Sequence, residues 1–162
     1  MKAQSGDKDI IWIIEDDPLW QSSLSSLLKR LGYETINTFD YSDTVSTLTR
    51  LKKMPCLAIV DLHLSSSGSA HEFDGLQVLK LLKAHNIYAI IISSFSRIHA
   101  DLLADAIEVR NIIDKIRFTD EGYEAFFIEK IHSVITYANA ARQAEGASDT
   151  QQSRLGDLPL DF

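Results

Sequence analysis

Cysteine is almost missing from this chain of 162 residues. Cys56 stands alone, so no internal disulfide can staple the fold. Because it opens an apolar run, its simplest role is that of a small buried side chain. Positive charge is also scarce: 16 Lys and Arg against 23 Asp and Glu leave a formal charge of -7, and no basic stripe interrupts the pattern. Direct nucleic-acid binding is therefore not expected. No apolar run approaches the roughly 20 residues needed to span a bilayer, so no membrane partner is expected. The opening MKAQSGDKD lacks the pattern of a secretory signal, and the reading is a cytoplasmic protein. What is abundant is apolar surface. At 45% hydrophobic residues the chain can build a real core, and the length suits one domain with a tail.

The apolar residues fall into alternating short runs and helical periods. Ile10 to Ile14 reads as a strand, and a helix begins at Pro18 with Trp20, Leu24, Leu27, Leu28 and Leu31 at helical spacing until Gly32 stops it. A strand over Glu34 to Phe39 precedes a helix opened by Ser42 or Asp43 and carrying Val45, Leu48 and Leu51. The run CLAIVDLHL is a third strand, apolar until Asp61. After a Ser- and Gly-rich loop, Asp74-Gly75 opens a helix over Leu76, Leu79 and Leu82. YAIIIS is the fourth strand, residues 98–109 the fourth helix and NIID the fifth strand. A last helix shows Phe127, Ile131, Val134, Ile135 and Ala138 on one face.

Strands without alternation are buried on both faces, and helices between them act as crossovers. The expected fold is α/β: a doubly wound, five-stranded parallel sheet in the flavodoxin-like order 2-1-3-4-5, with helices on both faces. Residues 1–8 are expected as a flexible start, 9–142 as the domain and 143–162 as a flexible polar tail.

In such sheets the ligand site lies beyond the carboxyl ends of the strands, between strands one and three. Both of those strands end in acid. Glu15 and Asp16 close the first and Asp61 closes the third, although more than forty positions separate them along the chain. Adjacent buried carboxylates repel and lose solvation, so a hard cation such as Mg²⁺ is expected there. Asp17, followed by Pro18, reads instead as a helix N-cap. Ser93 and Ser94 end strand four and Lys115 ends strand five, which completes a site suited to a phosphoryl group.

With IIEDDP, IVDLHL, DG, IIISS and DK in this order, residues 8–140 resemble a receiver domain of two-component response regulators. The resemblance implies that Asp61 is the phosphorylated residue. It also implies that Asp16, Asp61 and the backbone carbonyl of His63 hold Mg²⁺, with Glu15 assisting through water. Lys115 would clamp the phosphoryl oxygens and Ser94 would turn its hydroxyl onto them, with Ser93 as second choice because a one-residue error reverses the strand face. A sensor histidine kinase or a phosphotransfer protein would supply the phosphoryl group. Output would pass through contacts with a downstream protein, or through a homodimer made by the helix over 98–109, the fifth strand and the last helix. Residues after 142 are too few and too polar for a helix-turn-helix module, so a single-domain regulator is the expectation, not an enzyme with an external substrate.

Three features depart from that family. Ile112 stands where an aromatic residue is usual, Ile116 follows Lys115 where proline is usual, and SSSGSAHEF lengthens the loop after Asp61. The first two favour an alternative reading, a receiver-fold scaffold that acts without phosphorylation. A magnesium-dependent phosphatase with an aspartyl nucleophile is disfavoured, because its signature places a second Asp where His63 stands. A flavodoxin is disfavoured because an acidic loop would meet its phosphate. A transition-metal site of His63, His71 and Asp61 lacks a third spaced ligand of its own kind.

Overall fold

The stretch Ile10–Ile14 (β1) offers water no polar face, and it lies in the interior of the sheet with a parallel neighbour on each side. The computed structural model describes residues 8–64, 74–94 and 112–155, the last nine of these as backbone only. The elements are β1, α1 (Pro18–Arg30), β2 (Glu34–Thr38), α2 (Tyr41–Leu48), β3 (Leu57–Asp61), α3 (Asp74–Ala84), β4 (Ala89–Ser93), β5 (Ile112–Asp114), a 3-10 turn (Lys115–Thr119) and α4 (Tyr123–Leu155). All strand pairs are parallel and the order is β2-β1-β3-β4-β5, as the sequence predicts.

Alternation along the strands divides the core into two layers. Ile11, Ile13, Leu57, Ile59, Ile90, Ile92 and Ile113 pack on one face against Leu24 and Leu28 of α1 and Phe127 and Ile131 of α4. Trp12, Ile14, Ala58, Val60 and Ile91 pack on the other against Val78, Leu79 and Leu82 of α3, with Tyr41 and Leu48 of α2 at its margin. Side chains two apart along a strand therefore share a face, a parity that later decides which polar groups meet.

Asp17 caps α1 as expected, its carboxylate accepting from the amides of Leu19 and Trp20, and Pro18 occupies the first turn. Gly32, at φ +93°, ends the helix: its amide reaches the Lys29 carbonyl and the amide of Tyr33 reaches that of Leu28. Helix α2 corrects the sequence reading. Its cap is Asp40, not Ser42 or Asp43, with the Asp43 amide 2.7 Å from Asp40 Oδ1, and Asp43 instead accepts from the amide of Phe39. Three acceptors crowd this stretch, and the extended backbone at Asp40 decides which one caps.

Helix α4 continues to Leu155, past position 142 where the domain was expected to end. The expected termini over 1–7 and 156–162, the loop over 65–73 and the helix over 98–109 lie outside the described residues. No helix among the described residues is long and apolar enough to cross a membrane.

Cys56 is 5% exposed, and burial together with the nearby charge of Asp9 pushes its thiol up to about 11. Iodoacetamide at about pH 8 is therefore expected to alkylate the folded protein far more slowly than the urea-unfolded chain, and equal rates would contradict this placement.

Candidate functional site at the carboxyl ends of the strands

The acidic residues meet because of strand register. Ile14 of β1 lies beside Val60 of β3, so the residues that follow each, Glu15 and Asp61, emerge side by side. Glu15, Asp61 and Lys115 each stand two residues beyond a core isoleucine on the same face (Ile13, Ile59 and Ile113), so all three side chains turn toward the layer beneath α1 and α4. Carboxylate oxygens of Glu15, Asp16 and Asp61 lie within 4.8 Å of one another.

Lys115 closes the cluster. Its Nζ donates to Asp61 Oδ2 at 2.6 Å and lies 2.6 Å from Glu15 Oε2, with all three side chains buried. The second oxygens of Glu15 and Asp61 find backbone donors: Glu15 Oε1 accepts from the Asp17 amide and Asp61 Oδ1 from the His63 amide. Burial pushes the Glu15 carboxyl up to about 7, reinforced by the charge of Asp61 and opposed by Lys115. For Lys115 burial acts to lower the pKa, but the hydrogen bonds with Asp61 and Glu15 outweigh it and hold the ammonium above its ordinary value. One ammonium thus offsets three carboxylates incompletely. The donor set is all hard oxygen on adjacent strand ends, with one carboxylate reluctant to ionise, and this fits a small divalent cation.

The surroundings hold these groups in place. Buried Gln21 donates from Nε2 to the carbonyls of Glu15 and Thr38, pinning the end of β1 to β2. The Tyr123 hydroxyl accepts from the Asp114 amide, and Asp114 Oδ1 accepts from the Ile116 amide, so the turn that presents Lys115 is fixed on both sides. Among the described residues there is no cis peptide bond, and Lys115 leads directly into the 3-10 turn with Ile116 exposed. Helix α3 begins against the back of the site: a Cβ on Gly75 would fall 2.5 Å from the Asp61 carbonyl oxygen and 2.5 Å from Leu62 Cα.

Of the residues singled out in the sequence, Glu15, Asp16, Asp61 and Lys115 are brought together. His63 joins through its amide. Ser93 ends β4 in register with Asp114 and is buried, whereas Ser94, which follows it, is exposed. Sequence reasoning missed Gln21, although a signal existed: it falls on the buried stripe of α1 with Leu24 and Leu28, where a polar residue needs partners. It also read Trp20 as core alone, whereas the Lys115 ammonium lies 5.4 Å from the centroid of its ring.

No protein-family model matches the chain, and no curated protein matches it in sequence. Solved structures match it in fold. A CheY-like response regulator receiver domain protein from Methanospirillum hungatei JF-1 superposes with a TM-score of 0.67 at 17% identity, over 83% of this chain and 99% of that one. A response regulator receiver protein from Burkholderia phymatum gives 0.64 at 18% identity, over 80% and 96% of the two chains. The response regulator TrrA from Thermotoga maritima, solved in complex with Mg(2+)-BeF, gives 0.60 at 20% identity, over 78% and 98%. The chain has the fold of a response-regulator receiver domain.

Proposed function

We propose that the protein is a phosphorylation switch that accepts a phosphoryl group on Asp61 in the presence of Mg²⁺ and signals through protein contacts. The observation that carries this reading is the convergence of Glu15, Asp16 and Asp61 within 4.8 Å, with the Lys115 ammonium 2.6 Å from both Glu15 and Asp61. A surface carboxylate cluster needs no such buried cation, and a scaffold gains no stability from gathering charges that lose their hydration.

Chemically, a carboxylate oxygen of Asp61 attacks phosphorus and forms a new O–P bond. The bond from phosphorus to the donor breaks, and the departing group keeps the electron pair. The chain mainly supplies position and charge, as is general for phosphoryl transfer. The His63 amide on Oδ1 fixes the rotation of the Asp61 carboxylate. Lys115 neutralises charge on the transferring oxygens. Glu15, Asp16 and Asp61, with the His63 carbonyl, would hold Mg²⁺, which supplies electrostatic stabilisation of the phosphoryl oxygens when bound. The hydroxyl at the end of β4, that of Ser94 with Ser93 behind it, then turns onto the phosphoryl group and draws its loop inward, the change a partner reads. A histidine kinase or phosphotransfer protein is the proposed donor and a downstream protein the proposed target. The face that includes β5 and α4 is the proposed site of output or dimerisation.

Incubation with Mg²⁺ and acetyl phosphate tests this directly. A mass gain of one phosphoryl group is expected, abolished by EDTA and by Asp61→Asn. No gain in the wild type, with no Mg²⁺ binding by calorimetry, would leave the receiver-fold scaffold as the reading.

A further inference from the structure

We infer that Trp20 is a positioning residue for Lys115: the face of its indole holds the ammonium in line with the carboxylates while leaving it free to move between oxygen partners. This rests on the proposed role of Lys115 as the phosphoryl clamp.

The geometry is specific. Lys115 Nζ sits 5.4 Å from the Trp20 ring centroid, within cation–π range, on a side chain that is buried and so screened little by water. The ammonium donates to Asp61 Oδ2 at 2.6 Å and lies 2.6 Å from Glu15 Oε2 as an ion pair, and the ring is a further electron-rich neighbour. Trp20 is itself held by the segment that carries Lys115. Phe118, three residues on, meets the indole edge-on at 5.2 Å and 80°, and also packs against Tyr123 at 5.4 Å and Phe127 at 5.2 Å. Helix α1, the 3-10 turn and α4 therefore converge on one aromatic cluster beside the ammonium. The Asp114–Tyr123 hydrogen bond fixes the same turn from its other side.

An aromatic face suits this position for a chemical reason. A third carboxylate would bind the ammonium in one direction and compete with an incoming phosphoryl oxygen. An aliphatic side chain would desolvate it with no compensation. The quadrupole of indole attracts the cation without a fixed acceptor direction, so the ammonium can shift from carboxylate to phosphoryl oxygen at little cost.

Trp20→Leu keeps an apolar side chain and removes the π face, whereas Trp20→Phe keeps a smaller ring. In proteins carrying ¹³C-labelled lysine, the Lys115 ε-methylene protons, identified by their loss in Lys115→Arg, are expected upfield in the wild type. They should remain partly upfield in Trp20→Phe and return to ordinary positions in Trp20→Leu. At saturating Mg²⁺ and acetyl phosphate, phosphorylation is expected to slow by about five- to tenfold in Trp20→Leu and by no more than about twofold in Trp20→Phe. Unshifted Lys115 resonances in the wild type would overturn the inference, as would equal rates in the two variants. If the wild type takes up no phosphoryl group, the proposed function fails while the Lys115 resonances still decide this point. They need only the wild type and Lys115→Arg should Trp20→Leu not fold.

Discussion

Lys115→Met is expected to lower the unfolding free energy by about 3–5 kcal/mol, the cost of stranding buried charge when one partner of a buried ion pair is removed. The ammonium is 2.6 Å from carboxylates of both Glu15 and Asp61, and the three side chains have almost no contact with water. Methionine fills similar volume, so the loss is electrostatic rather than a cavity. The expectation has a second half: Mg²⁺ should recover part of the loss, because a divalent cation supplies the charge that the variant lacks and binds only the folded arrangement. Urea titrations of both proteins with and without Mg²⁺ check this. A variant as stable as the wild type, or one indifferent to Mg²⁺, would show that the carboxylates do not depend on a central cation.

Gly75→Ala is expected to be destabilising where the same change in an ordinary helix would help. In an open helical position, alanine is favoured over glycine by about 1 kcal/mol. Here the new Cβ would fall 2.5 Å from the Asp61 carbonyl oxygen and 2.5 Å from Leu62 Cα, and both contacts are backbone that cannot rotate away. Overpacking of this kind costs about 1–3 kcal/mol, enough to reverse the sign. Because the backbone that must yield carries Asp61 itself, the folded fraction should also accept phosphoryl groups more slowly. Chemical denaturation together with the acetyl phosphate rate tests both effects. A stabilised variant with unchanged rate would mean that α3 does not press on the site.

The architecture was legible because its signal is simple: uninterrupted apolar runs such as Ile10–Ile14 and residues 57–60 leave a parallel, doubly covered sheet as the economical arrangement. The acidic cluster was legible for a related reason, since acid at the end of an apolar run must sit at a strand terminus. Local competition was harder to read. Asp40, Ser42 and Asp43 are all capable caps, and only the backbone angle at Asp40 chooses among them. The last helix was read from its apolar face, and α4 runs on past that face to Leu155. The role of Trp20 was hidden by its spacing. A residue in step with Leu24 and Leu27 looks like core, and nothing in the chain order places Lys115 beside it. Ile112 and Ile116, read as departures from the family, are both exposed.

The most direct test locates the phosphoryl group. After reaction with acetyl phosphate and Mg²⁺, borohydride reduction converts an aspartyl phosphate to homoserine, which marks the residue permanently. Homoserine is expected at position 61, within the tryptic peptide spanning 54–80, and nowhere else. Homoserine at another aspartate, or a phosphoryl group carried on a histidine or serine instead, would contradict this assignment.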